Sequence, residues 1–317
     1  MKILPTIGPA TANITSIRKI SKFTNLLRLN GSHNTINWHK KTSSLIKKNI
    51  ANAVLLIDIP GIKPRTANTD IIHIKKNEKF IIYFTKKPNN YKYFKKIPIT
   101  KPLPKIKKLK KCSMSDGQYI FDVLKIKHNY CLIKSKQNFQ LKPFKGINLP
   151  NAVYDDKIQL REYKKFLNKI NNINYDAVGL SFIQSSKLIK NLRKQFPEKL
   201  FVSKIENHEG LKNYEEIIKE SDIIMIDRGD LAAEIGNEKL YNAIYSITKC
   251  TKKYGKSLIV ATENLDSMIE RFSPTKSEVT SISSDFFLGT DVIMLSDETA
   301  TSDNWHNTLS WLNAFIN

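Results

Sequence analysis

Short apolar runs alternate with helical stretches along most of this chain, and this alternation limits the fold more than any other feature. Each run has the length of a buried strand. The strand candidates cover residues 3–6, 26–29, 54–57, 177–180, 201–204, 223–226, 257–261 and 292–295. About eight strand–helix units is the count of an α/β protein with a TIM (β/α)8 barrel. An open doubly wound sheet is the alternative, but the first strand lacks the Gly-rich turn of a dinucleotide site.

Polar residues follow the strand candidates at one end, where ligands bind in parallel α/β proteins. The run 201–203 leads into Lys204 and Glu206, and the run 223–226 leads into Asp227, Arg228 and Asp230. Cations and carboxylates therefore stand at neighbouring strand ends, which predicts a binding site. Solvated loops carry similar charge and are the alternative.

Two of these carboxylates, Glu206 and Asp230, suit a hard cation, because oxygen ligands without a nearby Cys or His pair are typical of Mg²⁺ sites. Lys204 lies two residues before Glu206, hence on the same face of an extended segment, and its ammonium group could contact a phosphate there. Gly229 and Asp230 begin a predicted short helix whose amides would bind an anion. A metal beside a lysine predicts phosphoryl transfer.

The chain carries 52 Lys and Arg against 29 Asp and Glu among its 317 residues, a formal net charge of +23. Such charge is typical of proteins that bind nucleic acid. Lysine, asparagine and isoleucine are common along the whole chain, however, which favours a general compositional bias. A nucleic-acid partner is therefore not expected.

Three cysteines, Cys112, Cys131 and Cys250, show neither metal-ligand nor redox spacing. No apolar run approaches the length of a membrane span. We therefore expect a cytoplasmic protein with reduced thiols and no membrane contact.

Between about residues 67 and 144 the pattern changes to period-two runs, at 80–84, 119–123 and 130–134, separated by turn residues. This pattern predicts a small inserted β domain. The lysine- and proline-rich stretch 86–111 also contains aromatic residues and would suit single-stranded nucleic acid. A solvated loop is the interpretation we favour.

Two strings resemble the central motifs of the pyruvate kinases: SKIENHEG at residues 203–210 and RGDL at residues 228–231. Further similar motifs follow the family's order along nearly the whole chain. The resemblance implies a barrel of residues 1–66 and 146–317, with a small β-barrel lid of residues 67–145 inserted after the third strand. It also implies that the family's C-terminal regulatory domain is absent, since the chain stops about one helix after the last motif.

The resemblance further implies a glycolytic enzyme that moves the phosphoryl group of phosphoenolpyruvate to ADP, giving pyruvate and ATP. The metal would be Mg²⁺ or Mn²⁺, held by Glu206 and Asp230. The implied catalytic residues are Lys204, Arg28 and Thr262, and the implied substrate contacts are Gly229, Asp230, Thr262 and Arg28. The implied nucleotide contacts are His33, Arg65, Asp116 and Lys145. Whether the protein forms a homo-oligomer through the barrel is left open by the sequence.

Many members of this family bind K⁺ through four positions that correspond here to Asn30, Ser32, Asp58 and Ile59. Isoleucine has no oxygen ligand to offer. Members that work without the cation carry lysine five residues after the aspartate, where this chain has Lys63. An ammonium group can supply the positive charge of K⁺, so the resemblance implies that K⁺ is not required.

Besides Ile59, Pro60 and Lys63, two further positions depart from the family pattern near the site. Glu263 stands where the family has glutamine, and Asp297 where it has glycine. These changes leave a non-catalytic pseudoenzyme as one alternative. A related barrel that binds phosphoenolpyruvate or pyruvate as a lyase is another, and it would have no use for Asp116 and Lys145.

Overall fold

The computed structural model describes residues 1–89, 92–104, 106, 109–115, 117–127 and 129–317, and Asp116 lies outside these described residues. The chain begins with β1 (Lys2–Pro5), α1 (Ile14–Ile20), β2 (Leu26–Asn30), α2 (Ile36–Asn49) and β3 (Val54–Ile59). Both helices begin at a side chain that accepts a hydrogen bond from the first turn. Asn13 accepts from the amide of Ser16, and Thr35 accepts from the amide of Trp38.

The chain then forms a set of short strands that we call the lid region. They are β4 (Ile72–Ile74), β5 (Lys79–Tyr83), β6 (Lys95–Pro98), β7 (Lys111–Met114), β8 (Tyr119–Lys127), β9 (Tyr130–Ser135), β10 (Phe139–Leu141) and β11 (Ile147–Asn148). One sheet has the order β11, β7, β8, β9, β5 and β6, and β10 pairs with β4. Because alternate residues share a face, the inward side chains form a separate core that includes Phe80, Phe121 and Phe139.

Strands and helices then alternate again to the end of the chain. The elements are α3 (Asp156–Lys169), β12 (Ala177–Leu180), α4 (Ser186–Gln195), β13 (Leu200–Ile205), α5 (His208–Lys212), α6 (Tyr214–Glu220), β14 (Ile223–Asp227), α7 (Arg228–Ile235), α8 (Asn237–Lys253), β15 (Ser257–Ala261), a 3-10 turn (Asp266–Ile269), α9 (Lys276–Leu288), β16 (Val292–Leu295), α10 (Asp297–Ala300) and α11 (Trp305–Ile316). Among the described residues, none of these helices combines the length and apolar character needed to cross a bilayer.

Eight parallel strands close into a ring. Their hydrogen-bonded order is β1, β16, β15, β14, β13, β12, β3 and β2. The gap between β1 and β2 is bridged at Thr6 and Arg28, and the amide of Ile7 donates to the carbonyl of Arg28 over 2.9 Å. The ring confirms the predicted TIM barrel and excludes the open doubly wound sheet.

Apolar side chains pack on both faces of the ring. A large cluster lies between the strands and the helices. A smaller cluster on the other strand face joins side chains from several barrel strands, among them Leu4, Leu56, Val202, Met225 and Met294. Burial on both faces explains why the barrel strands are nearly continuous apolar runs.

Candidate active site

The barrel strands deliver charged side chains to one end of the ring, because residues two apart share a strand face. Three members of the smaller apolar cluster are followed two residues later by a charged residue that points into the same interior, nearer the carboxyl end of the strand. The pairs are Leu56 and Asp58, Val202 and Lys204, and Met225 and Asp227. The charged groups therefore converge above the apolar cluster.

Asp58 is the centre of a buried charge network. Its Oδ2 accepts hydrogen bonds from Arg28 Nη2 at 2.7 Å and Lys204 Nζ at 3.1 Å, and its Oδ1 accepts one from Ser181 Oγ at 3.0 Å. Burial alone would raise the pKa of Asp58, but Lys204 and Arg28 hold it below its usual value. A Cβ at Gly179 would lie 2.9 Å from Asp58 Oδ1, so only glycine leaves room for this carboxylate.

Lys204 is surrounded by three carboxylates. Its Nζ lies 3.1 Å from oxygens of Asp58 and Glu206 and 3.2 Å from Asp227. Burial alone would lower the pKa of Lys204, but these carboxylates outweigh it and raise the pKa well above the usual value. The ammonium group is therefore a fixed positive charge and not a proton donor at neutral pH.

Three carboxylates form a candidate metal site. Glu206, Asp227 and Asp230 each place one oxygen so that all three oxygens lie within 4.8 Å of one another. Among the described residues, nothing donates a hydrogen bond to the buried Oε2 of Glu206, although the Lys204 ammonium lies 3.1 Å away. A buried carboxylate oxygen without a donor, next to two further carboxylates, fits a hard divalent cation.

Burial also raises the pKa of Glu206 well above its usual value, with Lys204 opposing the shift and Asp227 adding to it. This is the cost of gathering carboxylates away from water at Glu206, whereas the Lys63 ammonium holds the pKa of Asp230 below its usual value although burial opposes it. The two ligands predicted from the sequence, Glu206 and Asp230, are thus brought together. Asp227 was not predicted as a ligand, although its two-residue spacing from the apolar Met225 is a signal for it.

Two residues that flank the insertion of residues 67–145, Lys63 and Asn148, contact Asp230 at the candidate metal site. The Lys63 ammonium and Asn148 Nδ2, the latter at 3.0 Å, both contact Asp230 Oδ1. Asn148 also lies 3.3 Å from Glu234 Oε1, which accepts the amide of Leu149 at 3.1 Å. Lys63 and Asn148 together fix the orientation of the Asp230 carboxylate.

Thr262 lies beside the beginning of α7. Its hydroxyl is 3.0 Å from Asp227 Oδ1 and accepts a hydrogen bond from the amide of Gly229 at 3.0 Å. The amides of the first turn of a helix favour an anion, so this corner of the site suits a small carboxylate.

A cavity of about 2270 Å³ opens above these groups. Its lining includes every predicted site residue that the structure describes, namely Arg28, Asn30, Ser32, His33, Asp58, Lys63, Arg65, Lys145, Lys204, Glu206, Gly229, Asp230 and Thr262. Pockets for one small molecule measure roughly 300–1,000 Å³. The cavity therefore has room for two substrates at once.

Cations line the wall of the cavity near the lid region. Arg65 and Lys145 lie on neighbouring segments, since Arg65 forms a β-bridge with Gly146. Partial desolvation, and then Arg65, lower the pKa of His33, whereas Asp297 opposes the shift. The two cations give this wall a positive charge that favours an anionic ligand.

Comparison with known proteins decides the family. The family model described as the barrel domain of pyruvate kinase matches residues 1–308. The chain belongs to the pyruvate kinase family. This confirms the resemblance of the SKIENHEG and RGDL strings.

Individual pyruvate kinases are similar over most of the chain. The enzyme of Borreliella burgdorferi is 33% identical over 87% of this chain and 59% of its own length. Those of Thermotoga maritima and Thermococcus litoralis are 33% and 32% identical over 94% of this chain, and 66% and 65% of their own lengths. The chain thus spans less than two thirds of the length of these pyruvate kinases.

The two departures from the pyruvate kinase pattern lie at the cavity. Glu263 and Asp297 are exposed residues of its lining. Glu263 follows Thr262 in a turn where both residues have positive φ, 66° and 52°.

Proposed function

We propose that this protein transfers the phosphoryl group of phosphoenolpyruvate to ADP, releasing pyruvate and ATP. The observation that carries the proposal is the buried Lys204 ammonium, held between Asp58 and two candidate metal ligands at the base of a two-substrate cavity. A fixed cation beside a divalent metal site is the arrangement that stabilises a transferring phosphoryl group.

Glu206 and Asp230, joined by Asp227, would hold Mg²⁺ or Mn²⁺. The fit rests on the three close carboxylate oxygens and on Glu206 Oε2, which is buried without a donor among the described residues. When bound, such a cation supplies positive charge to phosphate and enolate oxygens.

The side chains of this protein would then divide the work. Lys204 and Arg28 bind the transferring phosphate while its bond to the enol oxygen breaks and a bond to a terminal phosphate oxygen of ADP forms. The amides of Gly229 and Asp230, which donate to Thr262 Oγ1 and Asp227 Oδ1 in the unliganded protein, would turn to the substrate carboxylate and orient it. The enolate carbon takes up a proton by way of Thr262 or water, which balances the reaction as pyruvate.

His33, Arg65 and Lys145 would bind the nucleotide, and Asp116 is proposed for the same role from the sequence alone. These contacts favour the kinase over the lyase alternative, which needs no nucleotide. We assign residues 1–66 and 146–317 to the barrel, residues 67–145 to the lid, and the reaction to the cytoplasm. Lys63 takes the place of K⁺.

A coupled assay of pyruvate formation from phosphoenolpyruvate and ADP tests the proposal. Lys204→Ala should lower the rate at least about 100-fold, the scale seen when one preorganised charge-stabilising group is removed. Lys212→Ala is the control, because the Lys212 side chain is 68% exposed. Equal rates in wild type and Lys204→Ala would refute the assignment, and absent turnover in wild type would favour the pseudoenzyme.

A further inference from the structure

The turn that carries Thr262 has an unusual backbone. Thr262 and Glu263 both have positive φ, 66° and 52°. This left-handed region is unfavourable for residues other than glycine, and a β-branched residue such as threonine is a genuine outlier there. Two such residues in succession persist only where surrounding contacts hold them.

Arg228 supplies those contacts. Its Nε and Nη2 donate to the carbonyl of Thr262 at 3.0 and 2.8 Å, and Nη2 donates to the carbonyl of Glu263 at 2.6 Å. The guanidinium is itself fixed by Ser281 Oγ and Asp285 Oδ2, which Nη1 contacts at 2.7 and 3.2 Å. One buried side chain thus holds both carbonyls of the turn against α9.

The turn in turn sets the position of the Thr262 hydroxyl. That hydroxyl lies 3.0 Å from Asp227 Oδ1 and 3.0 Å from the amide of Gly229. A relaxed right-handed turn would carry the side chain in a different direction, because Cβ follows the backbone. The contacts of Thr262 with the candidate site therefore depend on the hydrogen bonds that Arg228 donates to the turn.

We propose that Arg228 is a positioning residue, which acts on the reaction through Thr262 by holding the turn 262–263 in its left-handed conformation. The inference rests on the proposed phosphoryl transfer, in which Thr262 contacts the substrate, and it adopts Thr262 as the proton route in preference to water. Arg228 is 5% exposed and its charge is paired with Asp285, so its guanidinium is committed to the turn. The planar guanidinium group is needed for this role, because a lysine ammonium cannot contact both carbonyls and Asp285 at the same time.

The test compares Arg228→Lys, Thr262→Ala and the double variant in the coupled assay. Arg228→Lys should lower kcat about tenfold and leave the KM for ADP unchanged. The double variant should be no slower than Thr262→Ala, because both changes remove the same function. Multiplied losses in the double variant would indicate a separate structural role and overturn the inference.

Rescue provides the second readout. Glycine adopts positive φ without steric cost, so Glu263→Gly should recover part of the lost kcat in Arg228→Lys. Arg193→Lys is the matched control, since Arg193 pairs with Asp222 on the outer side of the barrel, and its kcat should equal that of wild type. A merely structural loss would not respond to a glycine in the turn, so absent rescue would contradict the inference.

If Arg228→Lys does not fold, Asp285→Asn loosens the guanidinium without removing it and should lower kcat in the same direction by a smaller factor. If Arg228→Lys or Asp285→Asn has the kcat of wild type while Thr262→Ala is impaired, the inference is overturned and the proposed function is not. No turnover in wild type overturns the proposed function and this inference with it.

Discussion

Replacing Gly146 by alanine should displace the Lys63 ammonium while leaving every charge in place. A Cβ at residue 146 would lie 2.6 Å from Lys63 Cε and 2.8 Å from its Nζ. The backbone of Gly146 is outside the left-handed region, so alanine strains only this contact. The contacted atoms are the end of a flexible side chain, and the lysine therefore yields before the fold does.

The size of the effect follows from the distance. Real Cβ contacts closer than 3.4 Å are uncommon, so Lys63 Cε must retreat by about 0.8 Å. With an effective dielectric constant of about 20, a retreat of that size directly away from Asp230 lengthens a normal ion pair from about 2.8 to about 3.6 Å and weakens it by roughly 1.3 kcal/mol, which is the upper value for the effect. That is about a tenfold change in an equilibrium constant.

We therefore expect Gly146→Ala to lower kcat/KM for phosphoenolpyruvate by up to about tenfold, with a thermal midpoint close to that of wild type. The coupled assay and a thermal melt measure both quantities. Lys63→Ala supplies the control background, because nothing remains there for the new methyl group to displace. An equal loss from Gly146→Ala in both backgrounds would refute the reasoning.

Three further predictions concern the nucleotide, the monovalent cation and pH. Lys145→Ala should raise the KM for ADP about tenfold or more, because a charge-assisted contact with the nucleotide is lost, and should leave the KM for phosphoenolpyruvate unchanged. An unaltered KM for ADP would contradict this prediction. Wild-type protein in tetramethylammonium buffer should turn over without added K⁺, and the double variant Lys63→Glu, Ile59→Thr should require K⁺. A wild-type rate that stays at background until K⁺ is added would show that Lys63 does not replace the ion. Burial, with Asp266 adding, raises the pKa of Glu298 to about 7. Because the folded state then holds this proton more tightly than the unfolded chain, stability should fall by up to about 3 kcal/mol as pH rises from about 4.5 to 7. Thermal melts should show a steeper decline in wild type than in Glu298→Gln, because other buried carboxyl groups with a raised pKa remain in both, and parallel pH profiles would contradict the prediction.

The barrel was predictable because its signal is local. The strand candidates 177–180, 257–261 and 292–295 coincide with β12, β15 and β16. Each of these strands is buried along its whole length or nearly so, which leaves a continuous apolar run in the sequence. In the lid region, β5, β8 and β9 were recognised by alternation, whereas short strands such as β10 and β11 offer too few residues for a period to show.

The sequence predicted the site residues that lie at the carboxyl ends of barrel strands. It did not predict the contacts between residues that are far apart in the sequence. Asn148 contacts Asp230 across 82 residues of sequence, and nothing local to Asn148 indicates that partner. Arg228 was noticed as a charge at a strand end. Its role in holding the turn at Thr262 follows only from the tertiary structure, since the residues that fix it come from the loop after β15 and from α9.

The hydrogen bonds between the end of β1 and the residues at and after β16 form late during synthesis, because their partners lie near opposite ends of this sequence. Arg28 Nη1 donates to Thr6 Oγ1 at 2.9 Å, and Thr6 is anchored in turn by the carbonyl of Leu295 and by Thr299 Oγ1, 293 residues away. A ribosome adding about 5–20 residues per second needs roughly 15–60 s to supply those partners. Until then the edge of β1 that pairs with β16 stays open on the nascent chain. The arginine at the base of the cavity is made well before Leu295 and Thr299, yet the hydrogen-bond chain through Thr6 is complete only when the last strand docks.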